Sequence, residues 1–406
     1  MCRPYGRAVA RTVRTPEEAE AALRALPGGA RVLGAVAATP GAWVVGGAVR
    51  DALLGREPGE LDVVLGGDLP LGGDLPADDL PAFAAALGTE LTEHHERFGT
   101  GTLRTREGLR VDLSRARRER YAHPGALPDV EPADLEADLA RRDVTVNAIA
   151  LRPGEGLRQA PEALEDLAAG VLRVLHPRSF DDDATRLWRV ARYGARLGFA
   201  PEPATAASAA ATDPTTVSGP RHGNELRRTL AEADPVGALQ ATQVLAPQLL
   251  PEGFAPRSAS DALALLPAGE GRPALVVLAR ACAGVDAARL VAWLDALAFT
   301  AAERDVVAAG SRAVTLHPLR AATDAADIAR AARGAPLEVV ALAGGGGARR
   351  WIEELRHVRL AIDGADLLAA GVPAGPELGT RLRRALDAHL NGAAPSRDEQ
   401  LRVALS

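Results

Sequence analysis

The densest chemical signal in the chain is Gly46-Gly47-Ala48-Val49-Arg50-Asp51, followed shortly by Glu60-Leu61-Asp62. Glycines between a strand and a helix let backbone N–H groups approach a phosphate, and a helix N-terminus favours the anion. Arg50, one turn into that helix, is placed to clamp the same triphosphate with its planar fork. Glu60 and Asp62 alternate on a predicted strand, so both carboxylates project from one face. Two carboxylates on one face suit a pair of Mg2+ ions, as in-line phosphoryl displacement requires. A double glycine alone is commonplace, and an acid pair on a strand is usually a solvated edge. The ordered combination is the signal.

Three further clusters follow. Arg141-Arg142-Asp143-Val144-Thr145-Val146-Asn147-Ala148 reads plainly as a capped helix start with a surface charge pair. In Asp182-Asp183-Ala184-Thr185-Arg186-Leu187-Trp188-Arg189-Val190-Ala191-Arg192, the residues Asp183, Arg186, Arg189 and Arg192 recur every third position. That spacing predicts one slowly drifting stripe on a helix, with Leu187, Val190 and Ala191 toward another face. Ser218 to Arg228 reads as a capped helix start with Arg221 and Glu225 at i, i+4. Each cluster alone is what an exposed helix face looks like.

The Asp183/Arg186 pair has a chemical reading of its own. Cytosine and adenine present an amino donor beside a ring-nitrogen acceptor, whereas uracil and guanine present the opposite pattern. A carboxylate acceptor beside a guanidinium donor therefore takes C and A together and repels U and G, and contacts of this kind discriminate by about 1–3 kcal/mol.

The elements that must position these groups are legible from breakers and caps. Thr15-Pro16-Glu17-Glu18 predicts a helix start with a capping box, and Gly28-Gly29 its end. Ala42 to Val45 predicts a buried strand, Val49 to Leu54 a helix, and Leu61 to Leu65 a second strand. Gly66-Gly67-Asp68-Leu69-Pro70 returns as Gly72-Gly73-Asp74-Leu75-Pro76, a duplication expected to expand a loop. Strand-like stretches run through Phe98–Arg104 and Leu109–Leu113, and Asp112 is a weaker third carboxylate, more simply read as a turn cap. From about Ala160 onward, Ala/Leu/Arg-rich helices dominate, and Thr300-Ala301-Ala302-Glu303 is another capping box. The layout is α+β: a mixed head, then a long all-helical remainder.

Composition sets the outer bounds. The 406 residues, 47% hydrophobic and 25% charged, describe a globular chain of several domains. Aromatics are only 3%, so the cores must be Leu, Val and Ala. All 47 basic residues are arginine, so any phosphate-binding cation is a guanidinium. The net charge of −6 does not advertise nucleic-acid binding, and local Arg clusters must carry it. Two distant cysteines, no apolar leader and no long apolar run point to a cytoplasmic protein without a membrane span. The histidines show no metal-ligand spacing and no phosphohydrolase pattern.

Taken in order, Gly46-Gly47-x-x-Arg50-Asp51, Glu60-x-Asp62, Arg141-Arg142-Asp143-x-Thr145-x-Asn147-Ala148, Asp182-Asp183-x-x-Arg186 and Ser218-x-x-Arg221-x-x-x-Glu225-Leu226 resemble the class II tRNA nucleotidyltransferases, the bacterial CCA-adding and poly(A) polymerase family. The connecting stretches Arg97 to Thr100, Arg117 to Val130 and Gly364 to Gly379 also look like it. The match runs from about residue 43 to 230, thins in the tail, and is little more than compositional over 231–345. It implies a polymerase-β-like head (31–155) behind a helical extension (1–30), then an all-α neck (156–232), body (233–345) and tail (346–406).

Carried over by position, the resemblance implies that Gly46, Gly47 and Arg50 hold the triphosphate and that Glu60 and Asp62 hold two Mg2+ ions. Arg142, Asp183, Arg186, Arg189 and Arg192 would contact the incoming nucleotide. The implied reaction is attack of a tRNA 3′-hydroxyl on the α-phosphate of CTP or ATP, with loss of pyrophosphate. RNA contacts are expected from Arg221, Arg227, Arg228, Arg381 and Arg384. Two departures stand out: Glu60 where the family has Asp, and Gln159-Ala160-Pro161-Glu162-Ala163 where it has Asp-Pro-x-Gly-Gly, an element tied to the change from C to A addition. CC-adding, A-adding and poly(A)-tailing enzymes, a catalytically impaired RNA-binding paralogue and a small-molecule nucleotidyltransferase remain as alternatives.

Overall fold

The computed structural model describes residues 10–67, 79–96, 99–313 and 317–406. Most of the duplicated Gly-Gly-Asp-Leu-Pro segment, and the Arg97-Phe98 pair, lie outside the described residues. The chain divides into two compact units, one ending at Leu249 and one from Leu250 to Ser406, a coarser division than the five expected segments.

The first unit opens with two helices, α1 (Pro16–Ala25) and α2 (Gly29–Ala38). Thr15 and Glu18 form the predicted capping box, and Gly28 turns the chain at φ 84°. Then come β1 (Trp43–Val45), α3 (Gly47–Leu53), β2 (Glu60–Leu65), α4 (Asp79–Ala86), β3 (Leu91–His95), β4 (Thr100–Arg104), β5 (Arg110–Arg115), β6 (Arg117–Arg120), β7 (Asp129–Pro132) and α5 (Leu135–Ala140). The strands β8 (Ile149–Arg152) and β9 (Gly156–Gln159) complete a seven-stranded sheet in the order β3-β4-β5-β2-β1-β8-β9. Within it β2 and β5 run parallel and the other pairs antiparallel. A parallel pair needs a long crossover, here α4, β3 and β4.

β1 lies near the centre of the sheet and is buried throughout, which explains its unbroken apolar run. β2 is different: Glu60 is exposed and Asp62 half-buried at its start, while Leu61, Val63, Val64 and Leu65 are buried. Its inner end anchors the strand, and its outer end presents acids.

The remaining α-helices of this unit are α6 (Ala163–Ala169), α7 (Ser179–Asp182), α8 (Arg186–Leu197), α9 (Pro203–Ala211), α10 (Gly219–Leu230) and α11 (Pro235–Leu245), with a short parallel strand pair, β10 (Val171–Leu172) and β11 (Ala200–Pro201), among them. α8 packs on α10 and α11 through Leu187, Trp188, Val190 and Ala191, all fully buried. The Trp188 indole N–H donates to His222 of α10 at 3.1 Å. Ser218 makes no side-chain cap bond, so the expected capping of α10 is absent.

The second unit is wholly helical: α12 (Ser260–Leu263), α13 (Pro273–Ala281), α14 (Ala287–Ala296), α15 (Ala301–Ser311), α16 (His317–Ala321), α17 (Ala325–Ala332), α18 (Leu337–Ala343), α19 (Gly345–Glu353), α20 (Gly364–Ala369), α21 (Pro376–Leu390) and α22 (Arg397–Leu405). The Thr300–Glu303 capping box is formed at the start of α15. The same helix crosses its neighbours closely at Gly310, where a Cβ would lie 2.8 Å from Leu342 and 2.9 Å from Ala279. The α+β class is therefore as expected, a mixed sheet followed by helices.

Candidate active site

The acids converge because of strand register. Glu60 and Asp62 stand two apart on β2, and the parallel ladder sets Asp62 opposite Asp112 and Glu60 opposite Arg110. Asp112, ranked low from the sequence, therefore shares a cavity with Asp62, where Thr102 donates to it at 2.7 Å and Arg110 at 3.1 Å. Arg110 also approaches Glu60 at 3.6 Å. Burial pushes the Asp62 carboxyl up to about 6, with Arg142 opposing and Glu60 and Asp112 reinforcing the shift. No described residue hydrogen-bonds that carboxylate.

Such a donor set fits a hard cation. The acids are clustered and under-neutralised, and Asp62 has an unengaged carboxylate. No three His, Cys, Asp or Glu side chains among the described residues close a cage by themselves. Mg2+ characteristically takes one or two carboxylates and leaves its other positions to water and phosphate.

A second cleft, of about 230 Å3, is lined by Arg142, Asp183, Arg186, Arg189, Arg221 and Tyr121, among others. Arg142 joins it to the acids. Its Nη1 would lie 2.8 Å from a Cβ at Gly46, and Asp62 Oδ2 3.7 Å from the same point. Gly46 also sits at φ 73°, a conformation that favours glycine. Asp62 and Asp112 line one cavity and Asp183, Arg186 and Arg189 another, with Arg142 lying between Asp62 and the second.

The arginines are held by buried carboxylates that the sequence reading missed. Asp138, on α5, is fully buried and accepts from Arg141 at 2.6 Å and Arg142 at 3.0 Å. Its burial favours the neutral acid, but the two guanidiniums outweigh that and hold the carboxyl below its usual range. Asp143 likewise is buried but held low by Arg189 at 2.8 Å and by the Asn147 amide at 3.0 Å. Asp143 stood in the Arg141–Ala148 motif without a role of its own, and Asp138 lay outside every motif.

Arg50 is 2% exposed; its Nη2 lies 3.6 Å from where a Cβ on Gly47 would stand, and its guanidinium donates to Asp51 at 2.9 Å and to Asn147, which hold the fork beside the glycines. Arg192 leaves the stripe. A three-residue step rotates about 60° around a helix, so two steps carry it some 120° from Arg186. It is buried between Glu225 at 2.7 Å and Glu232 at 3.1 Å, and Glu225 pairs with it and with Arg228, not with Arg221. Arg221 lines the cleft and donates to Asp183 at 2.9 Å. Arg381 and Arg384 donate to the last carbonyls of α22, which makes them helix caps. Arg228 is exposed and Arg227 half-buried.

Asp183 precedes α8, where it caps α7 and is fixed by Thr185, whose N–H and hydroxyl both donate to Oδ1. Arg186 opens α8 and is held by Ser179 at 2.7 Å and the Arg141 carbonyl at 2.9 Å. Asp183 and Arg186 face one cleft together.

Residues 42–173 match the poly(A) polymerase head domain, which spans the glycines, the acids and the Arg142 motif. The chain is 38% identical over 213 residues to an A-adding tRNA nucleotidyltransferase of Halalkalibacterium halodurans, covering 50% of this chain and 48% of that protein. It is 41% identical over 208 residues to a CC-adding tRNA nucleotidyltransferase of Deinococcus radiodurans, covering 50% of this chain and 52% of that one. The matched head is thus similar to that of the class II tRNA nucleotidyltransferases and poly(A) polymerases. The chain spans about half the length of the curated relatives it matches. The family fold extends further: a solved CCA-adding enzyme superposes with a TM-score of 0.77 at 25% identity, covering 97% of this chain and 99% of that one. No helix among the described residues is long and apolar enough to cross a membrane.

Proposed function

We propose that this protein extends the 3′ end of tRNA without a template, adding C, A or both from CTP and ATP and releasing pyrophosphate. The observation that carries the reading is Arg142, whose guanidinium lies beside Gly46 and Asp62 at one end and lines the arginine cleft at the other. A triphosphate at the glycines would then have its base in the cleft. There Asp183 accepts from the amino group of C or A, and Arg186 donates to the ring nitrogen. Arg189 and Arg142 supply the remaining positive charge, which suits developing charge on the phosphates.

Glu60 and Asp62, with Asp112 beside them, would hold divalent metal, for which Mg2+ is the proposed ion. When bound, the metal would neutralise phosphate charge and activate the attacking hydroxyl. Asp138 and Asp143 hold the cleft in register without touching substrate.

The test is incubation with tRNA trimmed of its 3′ nucleotides and labelled CTP or ATP, with Mg2+ or Mn2+. Incorporation of C or A but not U or G is expected; no incorporation with either metal overturns the reading. A single-step enzyme, adding only CC or only A, is favoured by one specific observation. In the element at 159–163, Glu162 holds a left-handed φ of 64° and pairs with Arg173 at 3.0 Å, where the family pattern has flexible glycines. Product length on the gel separates the two. The Glu60→Asp variant separates an impaired site, which gains rate, from an adapted one, which loses it.

A further inference from the structure

The second unit contains a polar cavity of about 410 Å3 that the proposed chemistry leaves unused. Three arginines from three helices line it: Arg280 in the last turn of α13, Arg320 on α16 and Arg349 on α19. The Arg280 side chain is half-buried and has no hydrogen-bond or ion-pair partner among the described residues. Arg320 spends only its Nε, donating to the Ala343 carbonyl at 2.7 Å. Arg349 makes an exposed i, i+4 pair with Glu353 at 3.0 Å, an interaction of small worth. One acid, the exposed Asp261, lines the same cavity, and the Ser258 hydroxyl lies at its rim.

In a chain with 53 acids and 47 arginines, three arginines and one carboxylate lining the same cavity are a local excess of positive charge. A guanidinium fork matches the oxygens of a phosphate, and two or three forks from different helices define where that phosphate sits. The first turn of α19 has no side-chain cap, and Cβ atoms at Gly344, Gly345 or Gly346 would meet nothing within 4 Å, so the backbone on that side is open to a ligand. The cavity is too polar to suit an apolar guest.

We infer that this cavity binds one phosphate group, supplied by the RNA backbone, and so fixes the RNA on the second unit. The RNA source rests on the proposed function; the phosphate chemistry does not. Binding here is sequence-independent and salt-dependent, because it reads charge and not bases.

The experiment uses the full chain with Arg280→Gln and Arg349→Gln combined, leaving Arg320 in place because it caps α18. Trimmed tRNA is the probe, followed by fluorescence anisotropy across a salt series, with ATP affinity measured in parallel. The expected result is a several-fold loss of tRNA affinity, a slope of log Kd against log salt smaller by about one to two, and unchanged ATP affinity. Arg280→Lys with Arg349→Lys should recover much of the affinity, which a folding defect would not permit. If tRNA binding is unchanged but inorganic phosphate raises the melting temperature of the parent and not of the variant, the site takes free phosphate and the RNA source is overturned. Equal tRNA affinity and equal response to phosphate overturn the site itself. Because the readout is binding, a protein that binds tRNA here yet adds no nucleotide would sink the proposed activity and leave this inference standing.

Discussion

Asp62 shows how one side chain couples stability to the chemistry proposed for it. Its carboxyl is raised to about 6 from the ordinary 3.8, so the folded state holds a proton that the unfolded chain releases earlier. The metal-free fold therefore loses stability as pH climbs from about 4 to 6, by up to about 3 kcal/mol, and stays at that lower level above 6. Asp62→Asn should abolish this dependence and raise the urea midpoint of the metal-free protein at neutral pH, while removing nucleotide incorporation. The same ionisation predicts that Mn2+ affinity, followed by titration calorimetry, falls as pH drops below about 6. Asp138 makes the converse case. Asp138→Asn leaves Arg141 and Arg142 sharing a neutral partner in a buried place, so a stability loss of about 3 kcal/mol is expected in urea unfolding. ATP binding should weaken in the same variant, because Arg142 is no longer held beside Asp62.

At the scale of elements, α8 separates what the sequence could say from what only packing decides. The three-residue recurrence of Asp183, Arg186, Arg189 and Arg192 predicted one slowly drifting stripe, to which the family resemblance gave the incoming nucleotide. The stripe ends early because each step drifts around the helix and because α10 supplies Glu225 to receive Arg192. That partner lies 33 residues away in sequence, and no local pattern announces it. The functional and structural arginines should separate cleanly on substitution. Arg186→Gln is expected to lower the ratio of kcat/KM for CTP over UTP by the equivalent of about 1–3 kcal/mol. Arg192→Gln should leave that ratio alone and cost about 2–3 kcal/mol of stability, since Glu225 and Glu232 lose a buried partner. Strands and caps were legible because each depends on few neighbours: β1, β2, the Thr15 box and the Thr300 box all lie where breakers and caps put them. Asp112 was undervalued for the opposite reason, since its place beside Asp62 comes from a parallel ladder joining distant segments. The burial of Arg50 was not legible either, because a motif reports which residues gather, and not which of them end up inside.

Across the whole molecule, charge is arranged by pairing more than by total. A net charge of −6 coexists with a cleft and a second cavity that are each rich in guanidinium, and most other arginines are matched to carboxylates or carbonyls. Affinity for RNA should accordingly fall steeply with salt while the fold itself, built on a Leu, Val and Ala core, changes little. The six-residue ladder between β2 and β5 carries a last consequence. It fixes the spacing of Asp62 and Asp112 through backbone hydrogen bonds, whatever the length of chain between the two strands. Insertions and deletions there are tolerated as long as the ladder zips in the same register. Removing residues 72–76, one copy of the duplicated segment, should leave Mn2+ affinity intact, whereas one residue added inside β5 would turn the carboxylate at 112 to the opposite side of the sheet.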